Sequence, residues 1–506
     1  MRKRDPKYKP LLFTTTMRNP ERFRDFLSIL FDYNGKILTN ELAEEIAGEM
    51  IKNGLYTPTS IDYSVKAKLK RGILLKDNEV QTILRDNPQD HKEAGFDYGW
   101  PSRFDTWFKF AKELGFVFYK TSEKIQFSEL GERLIDNKHP EYETFSFLNA
   151  FVKYQRNNPF RRVMNENVPL LLLLNVIKDL NDDKEYNNAG IARHELPLVI
   201  YWRDSNHKAL YQRIKRLRLE YGYNPSSEVI VDICRNEIMQ GKDKKRNAQS
   251  IIRDYPDEFI RKMRLTGIIS IRGAGRFIDI NRSEKEKINY ILEAYSEYPK
   301  FNTEEEYFQY SSCIDEKLFA ELGIPFSDNQ KQEYLKKWVS YFNWEQIKGE
   351  LQSLSKGRLS EEDTLRYLPN PVRLEFLTAI AVKSQYPNID VIPNYPIDDE
   401  GLPTSTAGGI GNKGDIECYQ SDEGALIEVT MSVGRGQTVM EVWPIVRHLE
   451  EFQKEIKSAI CYFIAPSIYQ DSVRQINYVE EKEKFIIKPK TIEEFLELVE
   501  NQRDFF

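Results

Sequence analysis

The sequence predicts a multidomain chain with an α-rich front half, a helical linker, and a C-terminal α/β domain built on a mixed sheet. Three observations point there. A chain of 506 residues is too long for one hydrophobic core, and at roughly 150 residues per domain it makes about three or four. A pattern of helix, strand, strand, helix occurs twice in the front half. After "LPNPVR", short strands begin to alternate with helices. Hydrophobic residues make up 40% and charged residues 30%, so real cores can be buried and a disordered polymer is excluded. The expected divisions are 1–150, 151–295, 296–365 and 366–506.

In the first division, "TNELAEEIAGEMIKNGL" has apolar residues at helical spacing behind a Thr39-Asn40 cap. "SRFDTWFKFAKELGFVFYKTSEKIQFSELGERLID" reads as a helix stopped by Gly115, a strand over Phe116–Tyr119, a polar turn, a strand over Ile125–Phe127 and another helix. Helices followed by a two-stranded flap make a winged helix. The same grammar returns in "PDEFIRKMRLTGIISIRGAGRFIDINRSEKEKINYILE". There a helix runs to Leu265, Gly267 stops it, and strands Ile268–Ile271 and Phe277–Ile280 flank the turn Gly273-Ala274-Gly275 before a further helix. We read a loose internal repeat and hence two winged-helix modules. "NNAGIARHELPLVIYW" and the basic helix "HKALYQRIKRLRLEYG" open the second one. Residues 296–365 are helical, acidic and aromatic, and read as a connector.

Charge is distributed unevenly. Residues 1–300 hold 52 Lys+Arg against 43 Asp+Glu, whereas the remainder hold 21 against 36. A basic front suits a polyanion. The cations gather at Lys208, Arg213, Lys215, Arg216 and Arg218 on one helix, at Lys242, Lys244, Lys245 and Arg246 in "GKDKKRN", and at Arg261, Arg264, Arg272 and Arg276 around the second hairpin. A solvated surface helix is the bland reading, and a winged helix alone does not decide between protein and DNA partners. Phosphate neutralisation by Lys and Arg supplies most non-specific affinity, so double-stranded DNA is the expected partner.

Several classes drop out. Cys234, Cys313, Cys418 and Cys461 form no CxxC pair, which argues against a zinc knuckle and for free thiols in a reducing cytoplasm. The longest apolar run, from Pro169 to Leu174 and on to Ile177, falls far short of a span of about 20 residues, and the N-terminus does not resemble a signal peptide. No membrane is expected. Gly273-Ala274-Gly275 and "AGGIGNKGD" fit neither phosphate-loop pattern and read as turns. His91, His194 and His207 have no Ser or Cys constellation, so a hydrolytic triad is not expected.

The last division reads as helix Val372–Val382, a loop, strands Asp415–Tyr419 and Ala425–Met431, helix Thr438 to about Lys454, strands Ala459–Ile464 and Phe485–Ile487, and helix Thr491–Glu500. Such an order makes a three-layer α/β sandwich. Within it, alternation puts Leu426, Glu428 and Thr430 on one face of their strand. A carboxylate in that apolar run is costly unless a cation or strong donors meet it. Asp415 lies across the hairpin from Glu428, and two converging acids repel unless a divalent cation joins them; Mg²⁺ takes one or two carboxylates and keeps waters for a phosphate. Glu441, on a helix face with Ile445 and His448, and Glu375, in "RLEFLTAIAV", are two further acids.

The ordered set Asp415, Glu428-Val429-Thr430, Met440-Glu441, Arg447-His448 and Phe463-Ile464-Ala465-Pro466 resembles the catalytic domain of the AlwI/BstNBI-type Type IIS restriction and nicking endonucleases, within the PD-(D/E)XK nuclease superfamily. The resemblance covers roughly residues 366–470 closely and the front more loosely. It implies a restriction-endonuclease-like C-terminal domain in which Asp415 and Glu428 bind Mg²⁺, with the Val429 carbonyl as a further ligand. Glu375 and Glu441 complete the acidic cluster. The Lys usual in the wider superfamily is Thr430 here. Arg447, His448, a second metal or Lys413 then takes its electrostatic role.

The expected function is a Type IIS restriction endonuclease, or nicking relative, that binds a short asymmetric duplex site and hydrolyses the backbone a few base pairs outside it, in a prokaryotic cytoplasm. One active site cuts two strands only with a transient dimer, a second subunit through the nuclease domain, or a second visit. The alternatives are a non-catalytic DNA-binding regulator whose acid cluster is structural and a nuclease of other purpose, such as repair.

Overall fold

The structure, a computed structural model, describes residues 22–136, 138–185, 190–242, 247–319, 326–404, 413–456, 458–502 and 504–506. The chain forms two compact units: Met1–Ala47 with Pro88–Ile324, and Gly48–Asn87 with Pro325–Phe506. The stretch 296–365, expected as a connector, divides between them.

In the first unit, helix Trp100–Glu113 is buried on nearly all sides. Gly115 ends it in the left-handed region, at φ +80, where a Cβ would be strained. Strands Val117–Phe118 and Gln126–Phe127 then pair antiparallel, each shorter than the alternation suggests. Ser128 caps the following helix, Glu129–Ile135, by accepting from the Gly131 N–H, a contact worth about 1 kcal/mol. Phe23 sits 5.8–6.1 Å from Phe110, Phe116 and Phe147 in the aromatic core.

The later part of this unit carries helices Pro169–Asp182, His207–Tyr221 and Tyr255–Arg264. Its hairpin, Ile269–Arg272 with Phe277–Ile280, is antiparallel, with Ile271 opposite Ile278. A third strand, Ile191–Ala192, joins on the other side of Phe277–Ile280. Two residues carry no period, so the sequence reading missed this strand.

The second unit centres on a five-stranded mixed sheet: Ile487–Thr491, Ser458–Ala465, Glu423–Val429, Ile416–Gln420 and Asp390–Pro393, in that spatial order. The hairpin and Asp390–Pro393 pair antiparallel, while Ser458–Ala465 pairs parallel with both of its neighbours. One face of the sheet carries Leu426, Cys461 and Phe463, packed with Ile445, Leu449 and Phe452 of one helix and Ile476 and Val479 of another. Each such fully buried side chain contributes about 1.5–3 kcal/mol relative to exposure.

Three readings need correction here. Asp390–Pro393 is a strand, where the sequence suggested a loop, because an edge strand of four residues ending in proline gives no alternation. Gln470–Glu483 is a helix that the sequence reading left out; it is rich in charge and only three of its side chains are apolar and buried or partly so. The expected helix from Thr438 is two, Arg435–Met440 and Val442–Phe452, which meet at Glu441.

Helices Asp328–Tyr341 and Trp344–Ser355 also belong to this unit. Lys331 Nζ donates to the Pro393 carbonyl at 2.8 Å, and Lys348 pairs with Glu500 at 2.7 Å. Among the described residues no helix is long and apolar enough to cross a membrane.

Candidate active site

The hairpin register sets Ile416 opposite Ile427 and Glu417 opposite Leu426. One step further along, Asp415 meets Glu428. The Val429 N–H donates to Asp415 Oδ2 at 2.8 Å. Asn394, just past the edge strand, fixes the same stretch: its N–H donates to the Asp415 carbonyl at 2.9 Å and its side-chain amide to the Gly414 carbonyl at 2.7 Å. At Gly414 a Cβ would stand 2.6 Å from Glu428 Oε1 and 2.5 Å from Leu426 Cδ1. Any larger residue there would have to push the Glu428 and Leu426 side chains aside.

Glu428 is buried, 7% exposed, on the face predicted by alternation. His448 Nδ1 lies 2.7 Å from Glu428 Oε1. Thr430 continues that face, and its hydroxyl donates to Glu441 Oε1 at 2.8 Å. Ser432 Oγ donates to the same oxygen at 2.8 Å. The hydroxyl at position 430 thus helps to fix the orientation of an acid. Glu375, from helix Asn370–Gln385, is 4% exposed, and its Oε2 meets no hydrogen-bond donor among the described residues.

These acids perturb one another. Burial, and then the charges of Asp415 and Glu428, hold the Glu375 carboxyl well above the usual range. Burial and Glu428 do the same to Asp415, against the pull of the Val429 N–H. Burial and Glu441 raise Glu428. Burial and the neighbouring Arg447 lower His448, which favours its neutral form. Mutually raised carboxyl groups are a pattern of functional sites.

The structure thus brings Glu375, Asp415, Glu428, Glu441 and His448 together. Arg447 is exposed, and Lys413 is exposed with its Nζ 3.8 Å from the Glu417 carboxylate. Among the described residues no three His, Cys, Asp or Glu side chains already stand as a metal cage. The donor set still fits a hard divalent ion, because Glu375 Oε2 is buried and unsatisfied and Mg²⁺ needs only one or two carboxylates.

Sequence reasoning missed Asn394, Ser432 and Gln437. Gln437 is fully buried; its amide donates to the Ser432 and Ser467 carbonyls at 3.2 and 3.0 Å and its oxygen accepts from the Tyr469 N–H at 2.8 Å. Ser432 could have been found by carrying the alternation of Glu428 and Thr430 two residues on. Asn394 and Gln437 act on backbone atoms and leave no pattern.

In the first unit the cations selected by sequence divide. Arg218 is buried, donating to both Glu195 oxygens at 2.7 and 2.8 Å and to the Gly190 carbonyl at 2.7 Å. Arg264 is buried, with Nη1 3.3 Å from the Ile269 carbonyl. Arg272 pairs with Asp279 at 2.7 Å, Lys215 with Asp183 at 2.8 Å and Arg213 with Glu237 at 2.7 Å. Lys208 reaches Asp179 at 2.5 Å but is exposed, as are Arg216, Lys242 and Arg276. Arg261 is half-buried. Lys244, Lys245, Arg246 and most of "AGGIGNKGD" lie outside the described residues.

The family model described as AlwI restriction endonuclease matches residues 112–336 and 325–498. The chain belongs to the AlwI restriction endonuclease family. A restriction endonuclease acts on DNA, and the matched span reaches into both units while leaving residues 1–111 outside it. Among solved structures, the small subunit, R.BspD6I2, of the heterodimeric restriction endonuclease R.BspD6I matches over 31% of this chain and 77% of its own, at 25% identity and a TM-score of 0.26. Restriction endonuclease FokI matches over 98% of this chain and 97% of its own at 12% identity, with a TM-score of 0.26 in one structure and 0.25 in another, bound to DNA. No curated protein matches.

Proposed function

We propose that this restriction endonuclease is a Type IIS enzyme or nicking relative, dependent on Mg²⁺, which reads a short asymmetric duplex site and cuts a few base pairs outside it. The front residues, 1–150 and 151–295, act as two winged-helix recognition modules, apart from 48–87, which cluster with the C-terminal unit; 296–365 link them to the nuclease domain, 366–506. One observation carries the reading. Carboxylates from three separate elements, Glu375, Asp415 and Glu428, are gathered where burial and mutual repulsion raise all three, and no Lys or Arg pairs with them among the described residues. Such an arrangement is unfavourable without a cation.

Asp415 and Glu428, with Glu375 and the Val429 carbonyl beside them, would hold the Mg²⁺. When bound, the ion supplies Lewis acidity at a phosphodiester oxygen and eases ionisation of a nearby water. The chain's own residues do the rest. Thr430 and Ser432 fix Glu441 in one orientation, ready to orient the attacking water and take its proton. His448 is held by Glu428, and Arg447 beside it supplies positive charge. Water adds to phosphorus, the bond to the 3′ oxygen breaks, and a 5′-phosphate and a 3′-hydroxyl result. Cutting both strands takes a transient dimer, a second subunit or a second visit, and the setting is a prokaryotic cytoplasm.

The test is digestion of plasmid DNA by the full chain with Mg²⁺ or with EDTA, followed by sequencing of the ends. Discrete metal-dependent fragments or nicks at a fixed distance from one short motif support the reading. Tight, salt-sensitive binding with Mg²⁺ present and no scission would instead make the chain a DNA-binding regulator with a structural acid cluster.

A further inference from the structure

We propose that residues 63–76, which belong to the nuclease-bearing unit although they lie near the N-terminus, grip the DNA backbone beside the catalytic carboxylates, with Arg71 and Lys66 as phosphate contacts. The inference rests on the nuclease reading above and adds the part of the chain that supplies local positive charge.

The first observation is proximity. Helix Tyr63–Lys70 ends in the turn Arg71-Gly72. A Cβ on Gly72 would stand 2.4 Å from the Val433 carbonyl oxygen, and one on Gly434 would stand 2.5 Å from the Arg71 carbonyl oxygen. Both glycines have positive φ, +65 and +64. Backbone therefore rests directly on backbone, a contact that no other residue type would permit at either position. Gly434 is two residues beyond Ser432, at most about 7 Å of chain, and Ser432 Oγ holds Glu441. The Arg71 turn is thus fastened to the loop that orients a catalytic acid.

The second observation is charge. The segment "YSVKAKLKRGILLK", residues 63–76, holds Lys66, Lys68, Lys70, Arg71 and Lys76 and no Asp or Glu. It sits in a unit whose larger part, residues 325–506, is acidic, with 20 Lys+Arg against 30 Asp+Glu. Such a surface repels a polyanion unless cations are placed locally. Lys68 is spent on Glu79 at 2.6 Å. Lys66 and Arg71 are exposed, and neither pairs with an acid among the described residues. Position 430 carries Thr where a nuclease of this superfamily would carry a cation, and the Thr430 hydroxyl is engaged with Glu441. Arg71 and Lys66 restore positive charge on the flank of the site, where the backbone on either side of the scissile phosphate must run.

The experiment uses the full chain as wild type, Arg71→Ala, Lys66→Ala/Arg71→Ala, Arg71→Lys and, as a distant charge control, Lys482→Ala. Supercoiled plasmid is digested with Mg²⁺ over a salt series, and thermal midpoints confirm that each variant folds. Each phosphate contact contributes about one unit to the slope of log affinity against log salt, so the double variant should lose about two units of slope and slow roughly tenfold at ~150 mM salt. Arg71→Lys should keep most of the rate, and Lys482→Ala all of it. The proposal is overturned if the double variant cuts at the wild-type rate with the wild-type salt slope. It is equally overturned if Arg71→Lys is as slow as Arg71→Ala, or if the loss is independent of salt, since either marks a packing role. A wild-type chain that binds plasmid but never cuts it overturns the nuclease reading and this inference with it, and is told apart by the wild type alone.

Discussion

Two charged clusters of this chain look alike in sequence and behave oppositely in the structure. The basic helix His207–Tyr221 brings many cations into a few turns, and most of them are answered by acids: Arg218 by Glu195, Lys215 by Asp183, Arg213 by Glu237. The acids of the C-terminal unit are brought together against one another, with a buried oxygen on Glu375 left without a hydrogen-bond partner among the described residues. Opposite charges that meet hold a fold together; like charges that meet are kept for something that arrives later. Charge density alone therefore misleads, and what counts is whether the partner is already present.

The comparison is broken most directly at Asp415. Asp415→Asn should cut plasmid DNA at least about a hundredfold more slowly, the scale of removing one group aimed at developing charge, while duplex binding in a mobility-shift assay stays intact. An Asp415→Asn protein that cuts at full rate would reduce the acid cluster to a structural oddity. Next in size is Arg218, the cation turned inward. Arg218→Ala leaves Glu195 buried and unpaired, and chemical denaturation should record a loss of about 3–5 kcal/mol. Were its stability normal and its DNA binding lost, Arg218 would belong with the DNA-facing cations after all.

A third measurement concerns the sign of the acid cluster's effect. The carboxyl groups of Glu375, Asp415 and Glu428 are raised above their ordinary, unfolded values. Between the unfolded and folded values the native state binds more protons, so stability falls as pH rises through that window. In EDTA at pH 8 the melting temperature of Glu375→Gln should exceed that of the wild type, and Mg²⁺ should narrow the gap by raising the wild type. A variant that melts lower under both conditions contradicts this account. The smallest effect belongs to Arg216, exposed on the same helix as Arg218: Arg216→Ala should leave stability unchanged and lower the salt slope of DNA binding by about one.

The sequence made the C-terminal site legible because its residues lie on regular elements. Alternation aims Glu428 and Thr430 to one face, and the hairpin carries Asp415 across to it, so two strands state the geometry without any long-range information. What stayed hidden acts through backbone or through chain reversal. Asn394 stands just past an edge strand too short to show a period, Gln437 reaches carbonyls that no side-chain pattern reports, and the break at Glu441 falls inside a stretch whose apolar spacing looks continuous. In the front, the hairpins were visible from their glycine stops, but which cations turn inward was not. That depends on acids such as Glu195 and Asp183, which reach them from other elements.

The Gln437 amide has a consequence for motion. One side chain bridges the loop at Ser432, its own helix and the segment Ser467–Tyr469, so none of the three can swing out alone without stranding a buried polar group. They should fluctuate as a single cooperative patch, which amide hydrogen exchange would report as similar protection at the N–H groups of Tyr469 and Ser432. The rim of the site, on this view, behaves as a latch with one pin.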